Sequence, residues 1–113
     1  MNPHPGEIWL ADLGLAAKTR PVLIVSRHDP DAPRALVLYV PITTQNRNSS
    51  YEVDLQRPPF LNENSFANVQ GMGSVPTVRL ERKLGQLSAE KLAKVKKAIA
   101  FAMELTTTES NAQ

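Results

Sequence analysis

The sequence predicts a mainly β fold, a strongly bent sheet or small barrel capped by one C-terminal helix. Two observations carry this. Through the first two-thirds of the chain, short apolar segments alternate with Pro-, Gly- and Asn/Asp-bearing loops, the pattern of short strands joined by turns. Only the stretch after Ser88 repeats its apolar residues clearly at helical spacing.

Gly6-Glu7 leads into a strand over Ile8–Leu13, where Ile8 and Leu10, with Ala11, suit a sheet. Gly14–Lys18 is a connector of small residues. Val22–Val25 is a continuous apolar run, expected of a strand covered on both faces. Ser26–Arg34 contains Asp29-Pro30 and Ala32-Pro33 and reads as a loop. Leu36–Val40 forms the next strand, and Pro41, which has no N–H to give a ladder, is expected to close it. Gln45–Ser50 is a polar loop. Tyr51, Val53 and Leu55 then alternate with Glu52 and Asp54, as in a half-exposed strand. Arg57–Asn64, with Pro58-Pro59, is a second long loop. Ser65–Gln70 is a short strand broken by Gly71 and Gly73, and Val78–Leu84 contains the last, ending at Gly85.

The helix begins after Ser88, an N-cap residue, with Glu90 in the first turn where a negative charge suits the helix dipole. Leu92, Val95, Ile99, Ala102 and Met103 share one face; Lys94, Lys97 and Glu104 share the other, with Glu90 and Lys94 spaced to pair. Phe101 falls on the polar side. Thr106–Gln113 is polar and without periodicity, and a frayed tail is expected there.

Composition sets the frame for function. At 113 residues the chain suits one domain, with its core over about residues 5–105. Thirteen basic and 11 acidic residues leave a net charge of +2, weak support for a polyanionic partner unless the cations are clustered. With no cysteine there is neither a disulfide framework nor thiolate chemistry, which fits a reducing cytoplasm. No apolar run approaches the roughly 20 residues that span a bilayer, and Met1-Asn2-Pro3-His4-Pro5 has neither the basic nor the apolar part of a signal peptide. A soluble cytoplasmic protein without membrane contact is expected.

Two motifs stand out. Arg20-Pro21 opens one apolar run, and Pro41-Ile42-Thr43-Thr44-Gln45 follows another. Pro21 holds the residue before it in extended geometry, so the Arg20 backbone is pre-set. A guanidinium grips two phosphate oxygens and stabilises charge on a five-coordinate phosphorus; with a pKa above about 12 it is a poor proton donor. The commoner role for such an arginine is a strand-end ion pair. Thr43, Thr44 and Gln45 offer hydroxyls and an amide to a phosphate or a ribose, although threonines in a turn more often bond local backbone. Arg47 is a further phosphate contact or a solvated side chain. His4 sits between prolines and His28 starts a Pro-rich loop; two histidines without carboxylates at ligand spacing make no metal site. Arg79, Glu81, Arg82 and Lys83 read as a solvated strand edge.

Three stretches, residues 6–13 (Gly-Glu-Ile-Trp-Leu-Ala-Asp-Leu), Thr19-Arg20-Pro21-Val22-Leu23-Ile24-Val25-Ser26 and Val40-Pro41-Ile42-Thr43-Thr44-Gln45, resemble the MazF/PemK family of toxin endoribonucleases, in the family's order. Lys83-Leu84-Gly85-Gln86-Leu87-Ser88 continues the match into the final helix, so that the resemblance covers about residues 5–105. It implies an SH3-like β-barrel with a C-terminal helix, a homodimer, and cofactor- and metal-independent cleavage of single-stranded RNA. The 2′-hydroxyl would attack the adjacent phosphorus and leave 2′,3′-cyclic phosphate and 5′-hydroxyl ends. By position, the family's catalytic arginine falls on Arg20 and its threonine on Thr43, with Thr44 and Gln45 shaping the pocket. Asn46, Arg47, Phe60 and Asn62 are loop residues suited to stack on, or hydrogen-bond to, splayed bases. A cognate antitoxin is the implied partner, commonly an acidic segment laid over the RNA groove.

Two departures from the family accompany the match. The connector before Arg20 is shorter than in many relatives, and Gln70-Gly71-Met72-Gly73-Ser74 replaces a region that often holds Asp-Gln and an arginine. Two other readings stay open on sequence alone: a non-catalytic nucleic-acid-binding barrel, and a toxin of the same fold that acts on a protein such as gyrase.

Overall fold

The computed structural model describes residues 2–14 and 19–105. Most of the connector expected at 14–18 and the tail expected at 106–113 therefore lie outside the described residues. Among those described are seven strands, β1 (Glu7–Ala11), β2 (Arg20–Ile24), β3 (Leu36–Thr43), β4 (Glu52–Gln56), β5 (Ser65–Asn68), β6 (Gly73–Pro76) and β7 (Leu80–Gln86), then one helix, α1 (Ala89–Ala102). The strands run β4-β5-β3-β2-β1-β7, with β6 also on β3. Every pairing is antiparallel.

The expected β fold with a C-terminal helix is present, but the sheet is bent rather than closed into a barrel. Its edge strands, β4 and β7, share no ladder. The loop after β4 reaches across to β7 instead: its Phe60 ring lies so close over Gly85 of β7 that a Cβ there would run into it. β7 accordingly continues through Gly85 to Gln86, although the glycine reads in the sequence as the end of the strand.

Both faces of the sheet are buried, as the apolar run at 22–25 predicts. Leu23 packs with Ile8, Val40, Leu55, Ala67 and, from α1, Val95 and Ala98. Its neighbours Val22 and Ile24 point the other way, into a second cluster with Ala11, Val37, Val75 and Leu80. Val22, Leu23 and Ile24 are fully buried, each worth about 1.5–3 kcal/mol of apolar transfer. The helix is fastened at its start. Ser88 Oγ accepts the Lys91 N–H at 3.2 Å, and Lys91 Nζ donates to Leu55 O of β4 at 2.8 Å.

Several boundaries differ from the sequence reading. Pro41 does not close β3, which runs on to Thr43. The Val25 N–H donates to Leu38 O, and with the register Val22↔Pro41 this alternation turns the Pro41 backbone away from β2. It faces the point where β6 has ended at Tyr39 and β5 has yet to begin at Ile42, so no ladder bond is lost. β6 has no counterpart in the sequence reading, being short and bounded by Gly73 and Pro76. β1 stops at Ala11, and β5 gives way after Asn68 to a 3₁₀ turn, Val69–Gly71. Met103 leaves the predicted apolar stripe: the helix ends before it and the side chain is 57% exposed, while Ala98 joins the core. Phe101 is exposed on the outer side as predicted, its ring edge-on to Tyr51 at 5.3 Å.

Candidate active site

Arg20 is the first residue of β2, and Thr43 the last of β3. The two strands pair Ile24↔Tyr39, Leu23↔Val40 and Val22↔Pro41. Continuing that register by two residues sets Arg20 opposite Thr43, and residues directly opposite on adjacent strands present their side chains on the same face. Both line one groove of about 600 Å³. Pro21, Ile42, Thr44 and Gln45, with Ser65 at the start of β5, complete the strand side, and Leu61, Asn62 and Glu63 of the loop before β5 complete the lining.

The Arg20 guanidinium is not spent on structure. The side chain is exposed, and among the described residues the ion pairs are Arg79–Asp12 at 3.8 Å and Lys83–Glu7 at 3.2 Å. Thr43 does have a local bond, its Oγ1 accepting the Gln45 N–H at 3.1 Å. That bond fixes the oxygen and leaves the hydroxyl proton free to donate. A cation and an oriented hydroxyl therefore share one wall, an arrangement suited to a phosphate.

The other sequence candidates divide. Thr44, Gln45 and Asn62 line the groove with Arg20 and Thr43. Asn46 and Arg47 lie beyond its lining in a polar loop bonded to itself. Arg47 Nη2 donates to Gln45 Oε1 at 3.1 Å and the Arg47 N–H to Glu52 Oε1 at 2.9 Å, while Asn46 and Asn48 exchange bonds of 3.0 and 2.8 Å. Phe60 is placed with the core, on Gly85, rather than in the groove. Leu61, Glu63 and Ser65 do not stand out in the sequence. Their one signal is position, Leu61 and Glu63 in the loop between the two strand segments that follow the Thr-Thr-Gln motif and Ser65 at the start of the second.

Two of the mixed charges at 79–83, Arg79 and Lys83, have partners. Lys83 joins a network around Glu7, a carboxylate 8% exposed that accepts from Trp9 Nε1 at 2.9 Å and from the His4 N–H at 3.1 Å. Burial alone would raise the Glu7 pKa, but the bonds from Trp9, His4 and Lys83 together outweigh it and hold the carboxyl below its usual value. His4 and His28 stack at 3.9 Å, away from the groove lining. Among the described residues no three His, Asp or Glu side chains group to hold a metal ion, and no helix is long and apolar enough to cross a membrane.

Among curated proteins none matches the sequence. Solved structures do. The chain is similar to an endoribonuclease in complex with its cognate antitoxin from a mycobacterial species, with a TM-score of 0.80 and 26% identity over 93% of this chain and 98% of that one. It is similar to the Mycobacterium tuberculosis toxin MazF-mt6, with a TM-score of 0.74 and 30% identity over 89% and 99%. A MazE–MazF structure from Deinococcus radiodurans shares the fold, with a TM-score of 0.75 and 21% identity over 94% and 99%. A family model matches residues 4–103, nearly the whole described chain. The protein belongs to the PemK-like, MazF-like toxins of type II toxin–antitoxin systems.

Proposed function

We propose that this toxin is a cytoplasmic endoribonuclease that cuts single-stranded RNA at a short sequence, acts as a homodimer and is neutralised by a cognate antitoxin. The observation that carries the reading is the juxtaposition of Arg20 and Thr43 on one wall of a groove, with the guanidinium unpaired among the described residues. The endoribonucleases of the same fold support it.

In this reading the scissile phosphate lies between the two strand ends. Arg20 binds its non-bridging oxygens and stabilises the charge that grows as phosphorus becomes five-coordinate. The Thr43 hydroxyl, oriented by the Gln45 N–H, donates to the same phosphate or positions the attacking 2′-hydroxyl. Thr44, Gln45 and Asn62 hold the flanking ribose and bases, with Asn46 and Arg47 meeting the strand beyond the groove. Attack by the 2′-oxygen leaves a 2′,3′-cyclic phosphate and a 5′-hydroxyl. These steps use no metal, so cleavage is expected to persist in excess chelator.

The test is digestion of a long mixed-sequence RNA in chelator by wild type and Arg20→Ala, with the ends mapped. Discrete cuts bearing 5′-hydroxyls, absent with the variant, are expected. Intact RNA in the presence of folded wild-type protein would instead favour an RNA-binding module or a toxin with a protein target.

A further inference from the structure

Transfer of the 2′-hydroxyl proton needs a base, and neither Arg20 nor Thr43 supplies one. A guanidinium is a cation without a free lone pair to accept a proton. Thr43 Oγ1 already accepts the Gln45 N–H, and a hydroxyl is in any case a very weak base. Of the other lining residues, Pro21, Ile42, Thr44, Gln45, Leu61, Asn62 and Ser65 have no side chain that can serve as a general base. The exception is Glu63.

We propose that Glu63 is the general base of this groove, accepting the 2′-hydroxyl proton of the nucleotide whose phosphate Arg20 and Thr43 hold; the proposal rests on the endoribonuclease reading. Four observations support it. Glu63 is the one carboxylate among the described groove-lining residues, and the connector segment Leu15-Ala16-Ala17-Lys18 contains no carboxylate or imidazole to compete with it. The side chain is exposed, with no hydrogen-bond or ion-pair partner among the described residues, so its acceptor capacity is unspent. Its backbone is nevertheless held on both sides. Ser65 Oγ donates to Glu63 O at 2.9 Å, and Phe60, three residues before it, is pinned on Gly85. Finally, a negative charge in a groove for a polyanion weakens binding unless it meets a donor on the substrate. The 2′-hydroxyl is such a donor, and it is the group that distinguishes RNA from DNA.

The step balances without a further reactant. The O2′–P bond forms and the P–O5′ bond breaks. The 2′-hydroxyl proton passes to the Glu63 carboxylate, and the departing 5′-oxygen takes a proton from water. Glu63 then returns its proton to solvent.

The experiment compares wild type, Glu63→Gln and Glu63→Asp in single-turnover cleavage of a short RNA carrying one site mapped with wild type. Rates are followed across the acid range. Affinity is read separately by fluorescence anisotropy, on the same RNA with a 2′-deoxynucleotide at the cleaved position. Expected for Glu63→Gln are a rate lower by about 10²–10⁴-fold, a weaker fall in rate toward acid pH than in wild type, and binding that is equal or tighter. Glu63→Asp should recover part of the rate. The glutamine variant should keep the wild-type circular dichroism and melting profile, because the native carboxylate makes no bond among the described residues.

An unchanged rate with Glu63→Gln, an acid limb that persists in it undiminished, or a defect confined to affinity would each overturn the assignment while leaving the nuclease intact. So would undiminished cleavage at altered sequences, which would make Glu63 a base-reading residue. Wild type that binds this RNA but never cuts it would overturn the endoribonuclease reading and the Glu63 role together.

Discussion

Arg20 and Thr43 line one groove and stand opposite each other when the β2–β3 register is carried two residues past its last pair, one at the start of its strand and the other at the end of its neighbour. Antiparallel pairing brings together residues 23 positions apart in sequence and sets them at one end of the sheet. Among the described residues neither side chain ties the fold together, since Arg20 is exposed and Thr43 bonds its own turn.

Arg20→Lys is therefore expected to behave as a severe functional change and a mild structural one. A lysine keeps the charge but loses the planar fork that binds two oxygens. Cleavage should fall by roughly 10²–10³-fold, as when a transition-state donor is removed. Thermal or denaturant unfolding should move by no more than about 0.5 kcal/mol, as for an exposed residue without partners. A large loss of stability would instead give Arg20 a structural role.

Thr43→Val and Thr43→Ser separate the hydroxyl from the shape of the side chain. Valine removes the acceptor for the Gln45 N–H and the donor offered to the groove; serine keeps both. Cleavage is expected to be lost with valine and largely kept with serine, measured as initial rates on one mapped site. Equal rates in the two variants would place the hydroxyl outside the reaction.

The Glu7 network should make stability depend on pH in the acid range. Because the folded-state pKa is depressed, the carboxylate's contribution is fully present above the unfolded value, about 4.3 for glutamate. It is lost as pH falls through the lower folded value. Glu7→Gln should be less stable than wild type at neutral pH, and the gap should narrow on acidification. Chemical unfolding at several pH values measures this, with a loss of about 1–3 kcal/mol expected at neutrality for weakened bonds to Trp9, His4 and Lys83. A gap that widens in acid would contradict a depressed pKa for Glu7 in the folded protein.

Gly85→Ala is expected to destabilise the fold by about 1–3 kcal/mol, the usual effect of forcing atoms into a packed site. The methyl group would collide with the Phe60 ring. Combining it with Phe60→Leu should cost less than the sum of the single changes, because the two positions share one contact. Additive losses in a double-mutant cycle would show that the alanine acts through the backbone of β7.

How much of the fold and the groove is legible in the sequence follows from which forces are local. The run Val22–Val25 and the alternation at Tyr51–Leu55 are set by the faces a strand buries, and both strands are where the pattern puts them. Ser88 announces the helix start through its side chain. Pro41 misleads because whether a missing N–H matters depends on which strand lies beside it, a fact of topology alone. Gly85 misleads for a related reason: its partner, Phe60, is distant in sequence, and the same distance hides the ring's place in the core. Arg20 and Thr43 are visible as parts of motifs. Glu63 is not, since an ordinary loop carboxylate becomes distinctive only when its loop lines one groove with those two residues.

The fork in β3 has a consequence for how the molecule meets other chains. Between Tyr39 and Ile42, where β6 has left and β5 has not arrived, β3 has a short length of backbone without a ladder partner on the edge away from β2. Such a gap invites addition of a foreign strand. Pro41 sits within it and has no N–H to offer. The turn at Gly71 closes over the proline ring so tightly that a Cβ there would lie 2.9 Å from Pro41 Cγ. The interior gap is thus plugged by an imino acid and roofed by a glycine, so the sheet changes neighbours halfway along one strand without leaving a template for aggregation.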